Sequence, residues 1–160
     1  MEHLDRPDEL TWDERRLWFE EQEAAVTRGG ATAISEQACA LMVDLQAAFC
    51  AGAWTAVVIL AAAIADAQAF HAGFPQDEIT EERAWLRGLR NALVHENRKT
   101  PAITIEDQWT RRDHWEEAAR RAVRVALATL YPTAKGTPAG RGARRQGRRA
   151  GRGAARGAGR

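Results

Sequence analysis

An all-α fold, an antiparallel bundle of four to five helices, is predicted by three features of this chain. Apolar residues recur at three- and four-residue spacing in successive segments between about residues 12 and 131. Gly29-Gly30, Gly52, Gly73 with Pro75, and Pro101 fall between those segments, where helices stop and turns begin. The period-two alternation that a half-buried strand needs is confined to Ile103-Thr-Ile105, which reads as a short extended piece.

The first helix is expected from about Trp12 to Arg28. Thr11-Trp-Asp-Glu14 has capping-box spacing at its start, and Gly29-Gly30 ends it. Its outer side is acidic, and Trp12, Leu17, Trp18 and Phe19 supply its apolar contacts. The second, about Ala33 to Cys50, carries Ile34, Ala38, Leu41, Met42, Leu45 and Phe49 on one stripe. The third, about Ala53 to His71, is apolar nearly all round and should be the central, most buried one.

Thr80-Glu81-Glu82 places a cap and two acids at the start of the fourth helix, where the helix dipole favours them. That helix stops in the polar stretch before Pro101. A last helix runs from Thr110-Arg-Arg-Asp113 to about Tyr131, with Trp115, Ala119, Ala122, Val123, Ala126 and Leu130 on its inner stripe. Glu116/Arg120 and Glu117/Arg121 are spaced as i,i+4 pairs on its wet side.

Residues 1–132 hold all of this periodicity and form one helical domain, long enough to bury a single core without metal or crosslink. They carry 14 Lys and Arg against 22 Asp and Glu, a net of −8. Residues 133–160 are mostly Gly, Arg and Ala, with 9 basic residues and no acid, a net of +9. Such a segment cannot bury enough apolar surface to fold and is expected to be disordered. Arg141, Arg144, Arg145, Arg148, Arg149 and Arg152 would bind nucleic acid by charge and arginine stacking, without reading sequence. The bland alternative is a tolerated, functionless extension.

Cys39 and Cys50 are the only cysteines. On one helix they stand about 16 Å apart, too far for a disulfide, and two unpaired, buried thiols fit a reducing cytoplasm. The acidic N-terminus has no signal-peptide pattern. The apolar run Ala53–Ala65 is short and followed by Asp66, so it reads as a core helix rather than a membrane span.

The stretch that organises the chain is Trp85-Leu-Arg-Gly-Leu-Arg-Asn-Ala-Leu-Val-His95. Leu86, Leu89 and Leu93, joined by Trp85 and Ala92, mark one buried face. Arg87, Arg90, Asn91 and His95 share the other side, with Val94 among them, so this polar face is expected to be covered by a partner. A cation, an amide and an imidazole thus gather on a surface that the core does not need. The Arg–His pair alone is a weak signal. Asn91 directly after Arg90, on the penultimate long helix of a bundle, makes it more specific.

This ending, together with the apolar third helix and the amphipathic last one, resembles small bacterial members of the HEPN superfamily over roughly Ala33 to Tyr131. The resemblance implies a helical bundle, a homodimer in which two R-x4-H motifs meet, and metal-independent RNA cleavage. It also implies a toxin–antitoxin or other defence setting, with an antitoxin protein as a further partner. Arg90, Asn91 and His95 are the candidate catalytic residues, supported by Asp66 and Arg87.

The chemistry agrees with the residue types. Cutting RNA without metal needs a group to take the 2′-hydroxyl proton, a cation to hold the phosphorane, and an acid for the leaving 5′-oxygen. Histidine serves as base or acid, and arginine presents a charged fork to phosphate oxygens. Asn91 would orient the imidazole or a phosphate. Arg90 and His95 point about 140° apart on a regular helix, so they converge only through the arginine's reach or across a dimer.

The competing assignment pairs Arg90 with Asp66, taken as a buried carboxylate, and makes His95 a helix cap, leaving a catalytically inactive dimerisation or adaptor module tethered to nucleic acid by its basic tail. His114 reads as a surface residue, His71 as a C-terminal cap, and Trp109 as the tryptophan facing a partner. No HExxH, CxxC, G-x-x-x-x-G-K-[ST] or G-x-G-x-x-G occurs, so no metal, cofactor or nucleotide is expected.

Overall fold

Six helices build the protein in a computed structural model that describes residues 5–27, 33–73, 80–95 and 97–132. They are α1 (Glu9–Thr27), α2 (Glu36–Ala51), α3 (Trp54–His71), α4 (Glu81–Val94), α5 (Ile105–Thr110) and α6 (Arg112–Leu130). The described residues contain no strand, and the architecture is an all-α bundle. The basic segment 133–160, with Arg141, Arg144, Arg145, Arg148, Arg149 and Arg152, lies outside the described residues.

α1 starts earlier than its capping-box spacing suggests. Asp8, not Thr11, is the cap: its Oδ1 accepts from the Thr11 amide at 2.7 Å, which holds the carboxyl below the usual carboxylate range. α2 begins behind Ser35, whose hydroxyl accepts from the Ala38 amide, and α4 behind Thr80, whose hydroxyl accepts from the Arg83 amide. The expected extended piece at Ile103–Ile105 is instead the approach to α5. Thr104 and Asp107 form a reciprocal capping box there, a hydroxyl-and-carboxylate signal that outweighs the two flanking isoleucines.

α3 packs most extensively on α6, then on α2 and α4. Val57, Ala61, Ile64 and Ala65 of α3 share one buried core with Ala119, Ala122, Val123 and Ala126 of α6. The expected α6 stripe is buried throughout, and Val125, Leu127 and Thr129 join it. α3 is the one described helix long and apolar enough to cross a membrane, and half of it is buried in the bundle. It is therefore central but not enclosed: Phe70 is 91% exposed, and Ile59, Ala63 and Ala67 are only partly covered.

Two polar devices lock the helices in register. Gln68 is fully buried; its Oε1 accepts from the Ser35 amide at 2.9 Å and its Nε2 donates to the Ala33 carbonyl at 3.1 Å. One side-chain amide thus satisfies both backbone groups where the chain enters α2. At the other end of α2, Gly52 adopts a left-handed conformation (φ 75°), and two guanidiniums close on the carbonyls exposed there. Arg15 donates to the Cys50 carbonyl at 3.1 Å and Arg112 to the Gly52 carbonyl at 2.8 Å, both lying over the Trp54 ring. α1 and α6 are thereby fastened to the α2–α3 turn.

Other expectations change with packing. Trp12 and Leu17 remain exposed, so α1 is anchored by Phe19 and by Trp18, which stacks on Phe49 at 4.8 Å. Glu116 and Arg120 pair at 2.6 Å, whereas Arg121 turns from Glu117 to Glu82 of α4, at 2.8 Å through two nitrogens. The same guanidinium lies 3.9 Å from the centre of the Trp85 ring, a contact that the i,i+4 geometry does not offer. Both cysteines are free, but Cys39 is exposed and only Cys50 is buried.

Candidate functional site

α4 presents three strips, and the candidate residues divide between two of them. Leu86 is buried, and Leu89, Leu93 and Trp85 pack against the core. Ala92, expected on that face, is exposed. A second strip of Arg83, Arg87, Arg90 and Val94 runs along the flank of α3. The third faces outward: Ala84, Gly88, Asn91, Ala92 and His95 are all exposed and lie within about 100° of arc.

On the flank, Asp66 of α3 joins two arginines. Its Oδ2 accepts from Arg90 Nη2 at 3.0 Å, and its Oδ1 stands 3.7 Å from Arg87 Nη2. The spacing of Asp66 suggested a sealed carboxylate, but its side chain is 38% exposed, because this side of α3 is open. Arg90 is the better covered of the two arginines, with 29% of its side chain exposed. Half-exposed pairs of this kind are screened by water and contribute little. Arg90→Ala is therefore expected to lower unfolding stability by no more than about 1 kcal/mol in urea titrations. A loss of about 3–5 kcal/mol would instead mark a buried, structural pair.

Beside this pair lies an open depression of about 800 Å³ between α3 and α4. Arg90, Asp66, Val94, Phe70 and His71 line it, along with Ala63 and Ala67. Neither Asn91 nor His95 reaches it. His95 is the C-terminal cap residue of α4, and its backbone N–H donates to the Asn91 carbonyl at 3.0 Å. The capping is done by its backbone; among the described residues, its imidazole and the Asn91 amide make no side-chain hydrogen bond. Within one chain, then, Arg90 is brought to Asp66 and Arg87, while His95 and Asn91 stand together on the adjacent strip.

Of the remaining sequence candidates, His71 lines the depression, whereas His114 and Trp109 lie away from it. His71 is the last residue of α3 and is exposed, with Ala72 as the cap. His114 is exposed and meets the Trp115 ring edge-on at 5.8 Å. Trp109, on α5, is 41% exposed. Among the described residues, no three His, Cys, Asp or Glu side chains are grouped as a metal site requires.

Two features of the site were not singled out from sequence. Phe70 sits in a helix that is apolar on every side, so periodicity gives no sign of which side stays open. The strip of Ala84, Gly88 and Ala92 was legible as small residues at four-residue spacing, but its exposure follows only from where α3 and α6 pack. Comparison with known proteins finds no matching family model, no matching curated protein and no matching solved structure.

Proposed function

We propose that this chain is a HEPN-like RNA-binding protein that works as a homodimer and cleaves RNA without a metal ion. The observation that carries this reading is the outward strip of α4. An imidazole and an amide with no described side-chain partner share it with Ala84, Gly88 and Ala92, whose small side chains let a second helix come close. Two copies packed nearly parallel along this strip, in close approach at Gly88, would bring two His95 and two Asn91 side chains into one groove, flanked by an Arg90 from each.

In that groove one His95 takes the proton of the 2′-hydroxyl as its oxygen attacks phosphorus. The other donates a proton to the departing 5′-oxygen, leaving a 2′,3′-cyclic phosphate and a 5′-hydroxyl. Arg90 stabilises the charge on the phosphorane oxygens; a guanidinium has five N–H donors, and only one is spent on Asp66. Asn91, one turn before His95, orients the ring or a phosphate oxygen. The basic segment 133–160 would hold RNA near this groove by charge alone. An antitoxin protein would act by covering the same face.

A second reading is favoured by one observation, the engagement of Arg90 with Asp66. It makes the flank a structural contact and the protein a catalytically inactive dimerisation or adaptor module. Incubating RNA with wild type and with His95→Ala in excess EDTA separates the two. Cleavage by wild type and not by the variant is the expected result; equal cleavage by both, or by neither, overturns the catalytic assignment.

A further inference from the structure

We propose that the depression between α3 and α4 seats an unpaired RNA nucleotide, with its phosphate on Arg90 and its base against Phe70. The inference rests on the RNA reading above and adds the class of RNA and the residue that selects it. Three observations support it, and none involves the outward strip where the second copy would sit.

The first is charge. Asp66 is the one carboxylate that the depression holds, and it is shared by two guanidiniums, at 3.0 Å from Arg90 and 3.7 Å from Arg87. One negative charge cannot neutralise two positive ones, so the cluster keeps a net positive charge on a half-exposed surface. Planar forks of this kind suit phosphate oxygens, which they can contact without giving up Asp66.

The second is the aromatic ring. Phe70 is 91% exposed and is the most exposed large hydrophobic residue among those described. It lines the same depression as Arg90. A ring face beside a guanidinium is the combination that single-stranded nucleic acid engages, with the base stacked on the ring and the backbone phosphate on the cation.

The third is shape. About 800 Å³ lies within the ~300–1,000 Å³ typical of small-ligand clefts. The apolar lining includes Ala63, Ala67 and Val94, which suit a flat apolar face, and Gln37 adds an amide. A paired base cannot use the ring, because in A-form helices the bases are stacked inside and the protein meets mainly phosphates and 2′-hydroxyls. The depression therefore favours loops and single strands over duplex.

The test measures binding rather than cleavage, by fluorescence anisotropy with the full-length protein. The probes are one short unpaired RNA and a blunt-ended, fully paired duplex of matched composition, both carrying 2′-O-methyl groups that block transesterification. Salt is raised until purely electrostatic binding to the basic tail is suppressed. Wild type is expected to prefer the unpaired probe. Phe70→Ala should weaken that binding roughly tenfold to a hundredfold, leaving duplex affinity unchanged, and Phe70→Trp should retain it. The side chain is 91% exposed, so neither variant is expected to disturb the core.

Unchanged binding of the unpaired probe by Phe70→Ala overturns the proposal, as does equal weakening for both probes. Dissociation of the dimer by Phe70→Ala also overturns it, because the ring would then seat a second copy instead of a base. A wild-type protein that binds neither probe sinks the RNA reading itself, an outcome distinct from the others.

Discussion

Replacing Phe49 with alanine is expected to lower the free energy of unfolding by about 3–5 kcal/mol, read as a shifted midpoint in urea denaturation. The ring is completely buried on α2 and is the meeting point of three helices. Trp18 of α1 stacks on it at 4.8 Å, Phe19 of α1 approaches at 5.9 Å, and Trp54 of α3 meets it edge-on at 5.5 Å. Truncation therefore leaves a void walled by rigid rings that cannot close over it. It also forfeits about 0.5–1.5 kcal/mol for each aromatic pair beyond simple burial. Domains of this size are stable by only about 5–15 kcal/mol, so the loss is a large share. Val43→Ala, on the same helix but 70% exposed, should change stability by less than about 0.5 kcal/mol. Similar effects at the two positions would mean that α1 does not dock through this cluster.

His95→Ala is expected to lower metal-free RNA cleavage by about 10²–10⁴-fold, the usual contribution of a positioned acid or base. Unfolding stability should stay within about 0.5 kcal/mol of wild type, because the exposed imidazole supports no packing and the α4 cap is made by the residue's backbone. That separation makes the experiment informative: activity and stability move independently only if the ring does chemistry. A parallel loss of both would assign His95 to the fold.

Five of the six helices were legible in the sequence from an apolar stripe or run and a stop or start, whereas α5 was not. Thr80 and Gly52 punctuate the chain where local chemistry requires a cap or a left-handed turn, and the α6 stripe is buried as its spacing indicates; Ser35 caps an α2 that begins at Glu36, three residues later than the expected start at Ala33. What escaped were choices made in three dimensions. Arg121 leaves its i,i+4 neighbour because Glu82 and the face of Trp85 lie close once α4 packs on α6. Gln68, polar inside an apolar helix, gave no hint that it would satisfy the backbone at Ala33 and Ser35.

The candidate site divides in the same way. Asp66 with Arg87 and Arg90 follows from charge inside an otherwise apolar pairing of helices. The open side of α3 does not, because a helix without a polar face carries no record of which side is left uncovered. The angular gap between Arg90 and His95 was readable from helical geometry alone, and the structure keeps the two on separate strips.

Whether two α4 helices make the site is tested most directly at Gly88. No atom outside its own helix lies within 4 Å of where a side chain would begin, and leucine is the better helix former, so Gly88→Leu should fold at least as well as wild type. Sedimentation equilibrium and RNA cleavage, measured on both proteins over one concentration range, give the answer. The expected result is a wild-type dimer that cuts RNA and a Gly88→Leu monomer that does not. A wild type that stays monomeric at every concentration, or monomeric Gly88→Leu cutting at the wild-type rate, would contradict the shared site.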